Sequence, residues 1–211
     1  MAANVQAIGD GQLALSHAAE LAYARPMDNV PEDSALMLRY RDGDVVAFEV
    51  LYRRHNDAVF RYLLRLCQHR DTAEDVFQDV WGKIVKARDS YRPTAKFSTF
   101  LYRVAHNCFI DHIRRNKRHT QIAAVEPDSQ PHPADLPEIE TERSLARRRL
   151  EAALKELPEE QRDAFLLSEE AGLSLDQIAS VTDSNRETAK SRLRYAVNKL
   201  RAAIDEPVRT S

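Results

Sequence analysis

Basic side chains are concentrated in one segment near the carboxyl end of the chain. Between residues 186 and 201, six lysines and arginines stand against a single acid, Glu187. The six basic residues are Arg186, Lys190, Arg192, Arg194, Lys199 and Arg201. Positive charge at this density suits the phosphate backbone of a nucleic acid. The alternative is that these residues form a basic, solvent-exposed helix face that binds no partner.

The residues around this segment predict the secondary structure in which it lies. Ser174 and Gln177 have the spacing of a capping box, which predicts a short helix through Ala179. A turn over residues 182–184 and a longer helix over residues 185–201 complete the spacing of a helix-turn-helix. In such a motif the amino-terminal half of the second helix normally enters the major groove of DNA.

Acidic and amide side chains form a second group, on one face of a helix predicted in the first half of the chain. These residues are Glu74, Asp75, Gln78 and Asp79. The opposite face is apolar and contains Ala73, Val76, Phe77, Val80, Trp81, Ile84 and Val85. Thr72 and Asp75 resemble a capping box, so we expect the helix to begin at Thr72. A rigid acidic face fits a basic or amide-rich partner helix, although it could also be only solvated.

Basic, polar and aromatic residues form a third group over residues 96–115. Ser98 is expected to cap a helix that runs to about Arg118. The polar face of this helix carries Arg103, Asn107, Arg114, Arg115 and Lys117. Basic side chains can follow phosphates while polar groups read the edge of an unstacked base. Phe97 and Phe100 could equally be core residues at helical spacing.

Charge is divided unevenly along the 211 residues, whose formal net charge is -2. Residues 34–120 contain 17 Lys and Arg against 10 Asp and Glu, whereas residues 121–142 contain six acids, four prolines and no base. The second composition favours an extended, solvated tether. We therefore expect helical modules over residues 34–120 and 143–205, a disordered acidic extension over 1–33 and a short tail over 206–211.

Apolar residues recur at helical spacing throughout, and no convincing strand stands out. The fold class is therefore expected to be all-α. Asp44 is a candidate N-cap for a long helix in the first module. In the second module, Pro158 is expected to begin one helix and Gly172 to end it.

The sequence offers little for catalysis or metal binding. Cys67 and Cys108 lie in apolar helical patterns, where a free thiol behaves as a small buried hydrophobe. Cys108 and His112 could touch one zinc ion, but no second ligand pair accompanies them. Glycine-rich phosphate loops, nucleophile elbows, a secretory start and long apolar runs are all missing from the sequence. We expect a soluble cytoplasmic protein that is no enzyme and uses neither cofactor nor metal.

These groups together resemble the extracytoplasmic-function sigma factors, the group IV members of the sigma-70 family of RNA polymerase subunits. The resemblance covers about residues 35–118 and 144–204. In the first module it lies in residues 73–81 and 96–107. In the second it lies in Leu157-Pro158, Arg162, Phe165, Gly172-Leu173-Ser174, Gln177-Ile178-Ala179 and residues 188–193.

The resemblance implies two small helical domains: a sigma region 2 bundle and a sigma region 4 helix-turn-helix, joined by the linker. It also implies an alternative sigma factor that binds core RNA polymerase and directs promoter-specific initiation. The partners would be the clamp helices of the largest subunit, the flap region, promoter DNA and an anti-sigma factor.

The site residues also follow from the resemblance. Those that bind core polymerase would be Glu74, Asp75, Gln78 and Asp79. Those that bind the minus-10 element would be Lys96, Ser98, Thr99, Phe100, Arg103, Asn107, Arg114 and Arg115. Those that bind the minus-35 element would be Arg186, Glu187, Thr188, Lys190, Ser191, Arg194 and Tyr195. Two positions depart from the usual pattern, since many members have a small residue in place of Glu187 and tryptophan in place of Phe100.

A different class of protein also fits the second module alone. A helix-turn-helix transcription regulator would bind duplex operator DNA without becoming a polymerase subunit. It would need a ligand cavity or a dimer interface, and it would leave the acidic group and the basic residues 96–118 without a role. Promoter-specific transcription with core polymerase distinguishes the two classes.

Overall fold

The computed structural model describes residues 32–122 and 142–205, and within these ranges it contains eight helices and no strand. The helices are α1 (Asp33–Arg41), α2 (Val45–Cys67), α3 (Arg70–Lys86), α4 (Phe97–Ile122), α5 (Glu142–Lys155), α6 (Glu159–Glu169), α7 (Leu175–Val181) and α8 (Arg186–Asp205). The all-α prediction is confirmed. The predictions for residues 1–31, 123–141 and 206–211 lie outside the described residues, whereas Asp33, assigned to the extension, begins α1.

Helices α1 to α4 form the first module around one apolar core. Their inward faces repeat at helical spacing, which places the large side chains of neighbouring helices in contact. Aromatic rings make up part of this core, with the Tyr52 and Trp81 centroids 4.8 Å apart and the Phe60 and Phe77 rings edge to face. The acidic group on α3 therefore stands on a rigid support.

The start of α2 agrees with the sequence prediction. Asp44 accepts a hydrogen bond from the backbone N–H of Ala47 at 3.2 Å, as an N-cap does. Arg39 in turn donates to the Asp44 carboxylate at 2.6 Å. This hydrogen bond holds the pKa of Asp44 below its ordinary value.

Two other helix starts were predicted wrongly. Helix α3 begins at Arg70 rather than Thr72, because Gln68 takes a left-handed conformation (φ 64°) and leaves His69 extended at the cap position. Helix α4 begins at Phe97, so Ser98 lies inside its first turn. The buried ring of Phe97 fixes this start through packing, which a search for capping residues does not detect.

Three smaller differences between the structure and the sequence predictions concern single residues. Val85, expected on the inner face of α3, is 43% exposed because it lies in the last turn, beyond the core. Pro158 precedes the first residue of α6 and occupies its N-cap position. The same helix ends at Glu169, and Gly172 lies in the turn that follows, at φ +60°, where a side chain would be strained.

Helices α5 to α8 form the second module and contain the predicted helix-turn-helix. The capping box of α7 is present: Gln177 N–H donates to Ser174 Oγ at 3.4 Å, and Ser174 N–H donates to Gln177 Oε1 at 2.9 Å. After the turn, Asn185 Oδ1 accepts from the backbone N–H of Thr188 at 2.8 Å and caps α8. The two caps set where the short and the long helix begin.

The two modules pack against each other. Helix α2 lies against α6 and helix α4 lies against α7. Ala164, Leu166 and Leu167 of α6 belong to the same buried cluster as the first-module core. One apolar cluster therefore extends across the contact between the modules, and a second, separate cluster packs α5 against α8 within the second module.

Replacing the N-cap residue of α2 tests how much this cap stabilises the protein. The substitution Asp44→Ala is expected to lower the free energy of unfolding by about 1 kcal/mol, because it leaves helix N–H groups without an acceptor. The matched control is Asp42→Ala, since Asp42 is an exposed neighbour outside the cap. Urea denaturation measures both.

The effect of Asp44→Ala on the free energy of unfolding is expected to depend on pH. A carboxyl whose pKa is depressed in the folded protein stabilises the fold above its unfolded pKa, and this contribution is lost as the pH falls through the folded value. The stability difference between the wild type and Asp44→Ala should therefore shrink at acid pH. A difference that is constant down to the acid limit contradicts the depressed pKa of Asp44 and the contact with Arg39 that causes it.

Candidate polymerase and nucleic-acid interfaces

The residues predicted to contact the minus-35 element lie together on α8. We call these residues the recognition surface: Arg186, Glu187, Thr188, Lys190, Ser191, Arg194 and Tyr195. Thr188 and Ser191 are half-buried and the others are exposed. The Arg194 guanidinium lies over the Tyr195 ring, 5.3 Å from its centroid, which restricts both side chains.

Not all the basic residues of α8 belong to this surface. Arg192 Nη2 donates to a Glu160 carboxylate oxygen at 2.7 Å, and Lys199 Nζ donates to the Glu156 carbonyl at 2.8 Å. These two side chains hold α8 to residues 156–160 of the same module. Counting charges along the sequence therefore overstated the positive charge available to DNA.

The acidic group on α3 forms a continuous patch, which we call the acidic ridge: Glu74, Asp75, Gln78 and Asp79. Asp75, Gln78 and Asp79 are exposed and Glu74 is partly exposed. Two members already have basic neighbours, since Arg70 donates to Glu74 at 2.7 Å and Arg115 to Asp79 at 3.2 Å. Exposed pairs of this kind are weak and can exchange for a partner.

The residues predicted to contact the minus-10 element line α4 and the loop before it. We call them the α4 surface: Lys96, Ser98, Thr99, Phe100, Arg103, Asn107, Arg114 and Arg115. Five of these side chains are exposed: Lys96, Arg103, Asn107, Arg114 and Arg115. Ser98 and Phe100 are half-buried, whereas Thr99 is only 5% exposed.

The aromatic residues of this segment divide between two roles. Phe97 is buried, with its ring 5.5 Å from that of His55, and is a core residue. Phe100 is half-buried, and its ring lies 5.3 Å from that of Tyr91. Phe100 therefore keeps part of its ring accessible beside the polar residues of the α4 surface.

The second module covers part of the α4 surface. Gln177 Nε2 donates to Thr99 Oγ1 at 2.9 Å. Arg103 Nη2 donates to the Ser180 carbonyl at 2.8 Å and also contacts the Ser180 hydroxyl. Two residues predicted to meet DNA thus hold the helix-turn-helix instead.

A buried polar cluster at the contact between the modules was missed by the sequence analysis. Tyr62 Oη donates to Asp163 Oδ1 at 2.7 Å, and His106 Nδ1 lies 2.9 Å from Asp163 Oδ2. The signal in the sequence is the placement of Asp163 three and four residues before Leu166 and Leu167, on the buried face of α6. A carboxylate at such a position needs partners from another element.

Two further findings apply to residues 32–122 and 142–205. No helix there is both long enough and apolar enough to cross a membrane. The same residues contain no group of three or more His, Cys, Asp and Glu side chains arranged to hold a metal ion.

Comparison with known proteins identifies both modules. The family described as Sigma-70 region 2 matches residues 51–119, and Sigma-70, region 4 matches residues 147–200. RNA polymerase sigma factor CarQ of Myxococcus xanthus is 32% identical over 170 residues, which are 81% of this chain and 96% of that protein. The ECF RNA polymerase sigma-E factor of Escherichia coli is 31% identical over 184 residues, 83% of this chain and 94% of its own.

A solved structure shows that the similarity includes the three-dimensional fold. The sigma factor RpoE from Bartonella quintana, in complex with the anti-sigma factor NepR, aligns with a TM-score of 0.63 at 25% identity. The alignment covers 75% of this chain and 98% of that one. With both regions present in order and relatives matched over nearly their whole length, the chain belongs to the extracytoplasmic-function group of the sigma-70 family of RNA polymerase sigma factors.

Proposed function

We propose how this alternative sigma factor, which binds core RNA polymerase and directs promoter-specific initiation, divides its work between two modules. The acidic ridge docks on the clamp helices of the largest polymerase subunit. Its side chains are exposed, while Val76 and Val80 behind it are fully buried, so the ridge meets its partner without refolding. An acidic and amide surface of this kind complements a basic partner helix.

The α4 surface captures the non-template strand of the melted minus-10 element. Lys96, Arg114 and Arg115 follow the phosphates, while Asn107 and the accessible part of Phe100 meet an unstacked base. The recognition surface of α8 enters the major groove at the minus-35 element. In this division, residues 34–120 serve polymerase and minus-10 binding, residues 143–205 serve minus-35 binding, and residues 121–142 join them.

One observation carries the proposal. The first module presents an acidic ridge and a basic α4 surface next to each other, connected by the Asp79 to Arg115 ion pair. A regulator that only binds duplex DNA has no use for this combination, so the operator-binding alternative is not favoured. The protein acts by positioning polymerase in the cytoplasm rather than by catalysis, and we propose an anti-sigma factor as its regulator.

Transcription with purified components tests this function. Core polymerase should transcribe fragmented genomic DNA of the source organism from a limited set of start sites only when this protein is added. Sequencing the RNA 5′ ends should reveal a shared pair of motifs near minus-10 and minus-35. The proposal fails if the protein alone protects duplex DNA from cleavage while no new start sites arise with polymerase.

A further inference from the structure

Glu187 is the one acidic side chain of the recognition surface. It lies in the first turn of α8, whereas the other charged members of this surface, Arg186, Lys190 and Arg194, are basic. Successive residues of a helix are rotated by about 100°, so Glu187 projects on the side opposite Ala189. Ala189 is 1% exposed and belongs to the buried face of α8. Glu187 therefore points away from the protein, toward the space that the DNA groove is expected to occupy.

The basic neighbours of Glu187 leave its carboxylate available. Arg186 Nε lies 3.0 Å from Asp176 Oδ1, so the charge of this arginine is directed back to α7. Lys190 Nζ lies 3.8 Å from Glu187 Oε2, which is too long for a hydrogen bond. Among the described residues this is the only ionic contact of Glu187, whose side chain is 76% exposed. Both carboxylate oxygens can therefore accept a hydrogen bond from DNA.

The chemistry of a carboxylate restricts the bases that it can contact. Phosphate groups repel it, so it is stabilised beside DNA only by a hydrogen-bond donor. Two base groups donate in the major groove: the N4 amino group of cytosine and the N6 amino group of adenine. Adenine also presents the N7 lone pair beside its amino group, and an ionised carboxylate has no proton to offer it. Glu187 therefore fits cytosine better than any other base.

We propose that Glu187 selects a cytosine in the minus-35 element by accepting a hydrogen bond from its N4 amino group. The inference rests on the proposed entry of the recognition surface into the major groove. Glu187 and Arg194 are seven residues apart on α8, or about 10 Å along the helix axis. Because base pairs are stacked about 3.4 Å apart, the selected cytosine lies within about three base pairs of the pair that Arg194 contacts.

An acid in the first turn of a helix also has a purely structural use, because it interacts favourably with the helix dipole. In that role Glu187 lowers the affinity for every DNA sequence equally, through repulsion of phosphate. The two roles differ in their response when the carboxylate becomes an amide. Glutamine has the same shape but donates as well as accepts, and its preferred base is adenine, through N6 and N7. A change of the preferred base therefore distinguishes base contact from a dipole effect.

The variants Glu187→Gln and Glu187→Ala test the inference in the full-length chain assembled with core polymerase. The DNA is a duplex library of one promoter found by the transcription test above, with its minus-35 element randomised, and the bound fraction is sequenced. The wild type should favour cytosine at one position by about fivefold, the lower end of the range for a base contact. Glu187→Gln should favour adenine at this position, and Glu187→Ala should have no preference there.

The matched control for the loss of one negative charge is Asp183→Asn. Asp183 is exposed in the turn before α8 and outside the recognition surface. Its φ is 48°, a conformation that asparagine tolerates well. This variant should raise the affinity slightly and equally for all bases, because it removes a charge that repels phosphate without removing a contact to a base.

A modified promoter identifies the atom that is contacted. In this DNA the selected cytosine is replaced by 2-pyrimidinone, which lacks the N4 amino group. The replacement should weaken binding of the wild-type holoenzyme by about fivefold, because the donor to Glu187 is lost. It should not weaken binding of the Glu187→Ala holoenzyme, because the effects of two changes that remove the same contact do not add. Equal weakening of both holoenzymes contradicts a contact with this amino group.

The inference and the proposed function fail in different ways. If the wild type has base preferences in the minus-35 element and Glu187→Gln has the same ones, the inference is overturned and the proposed function stands. A uniform change in affinity, like that of Asp183→Asn, also overturns the inference and assigns Glu187 to the helix dipole. If the wild-type holoenzyme has no preference anywhere in the minus-35 element, the proposed role of the recognition surface fails, and the inference fails with it.

Discussion

The double substitution Asp75→Arg, Asp79→Arg is expected to abolish co-purification with core RNA polymerase. Both carboxylates are exposed on the acidic ridge, so the change reverses the charge offered to the partner without disturbing the core. It also converts the Asp79 contact with Arg115 into a repulsion between two exposed groups. The free energy of unfolding should change by less than about 1 kcal/mol, because exposed ion pairs contribute little.

A matched control distinguishes the loss of the docking surface from a general effect of the added positive charge. The pair Asp57→Arg, Asp89→Arg changes the module's charge by the same amount at exposed positions off the ridge. It should leave co-purification with tagged core polymerase at the wild-type level. Unchanged recovery of polymerase with the Asp75 and Asp79 variant, at equal thermal stability, would remove the ridge from the docking surface.

The substitution Arg194→Ala is expected to weaken discrimination at the minus-35 element by about 1 to 3 kcal/mol, the worth of one good contact between a side chain and a base edge. Arg194 is exposed on the amino-terminal half of α8, and its contact with the Tyr195 ring holds the guanidinium in place. Holoenzyme binding to promoters with every substitution in the minus-35 element measures the effect.

The control for this experiment is Arg201→Ala, an exposed basic residue farther along the same helix and outside the recognition surface. It should reduce affinity slightly and equally for all sequences. If Arg194→Ala gives the same uniform loss, together with a shallower dependence on salt, then Arg194 contacts phosphate and reads no base.

Local chemistry explains which parts of the fold were predictable. Asp44, Ser174 and Gln177 are caps whose hydrogen bonds span three residues, so spacing alone reveals them. Thr72 and Ser98 have similar local spacing, yet helices α3 and α4 begin before them. Their starts are set by the left-handed Gln68 and by burial of Phe97, which depend on the chain beyond the local window.

The three candidate surfaces also differ in how well the sequence predicts them. The acidic ridge and the recognition surface each lie on one helix, so helical periodicity places their residues on shared faces. The α4 surface was predicted as open, but burial of Thr99 depends on the position of Gln177, 78 residues later. Periodicity within one element contains no information on such a distant contact.

The side chain of Gln177 satisfies two unrelated requirements at once. Its carbonyl oxygen accepts from Ser174 and fixes the first turn of α7, while its amide nitrogen donates to Thr99 in the other module. Glutamate would serve as the cap equally well but has no proton to donate when ionised. The substitution Gln177→Glu would therefore preserve the helix-turn-helix but remove one hydrogen bond between the two modules.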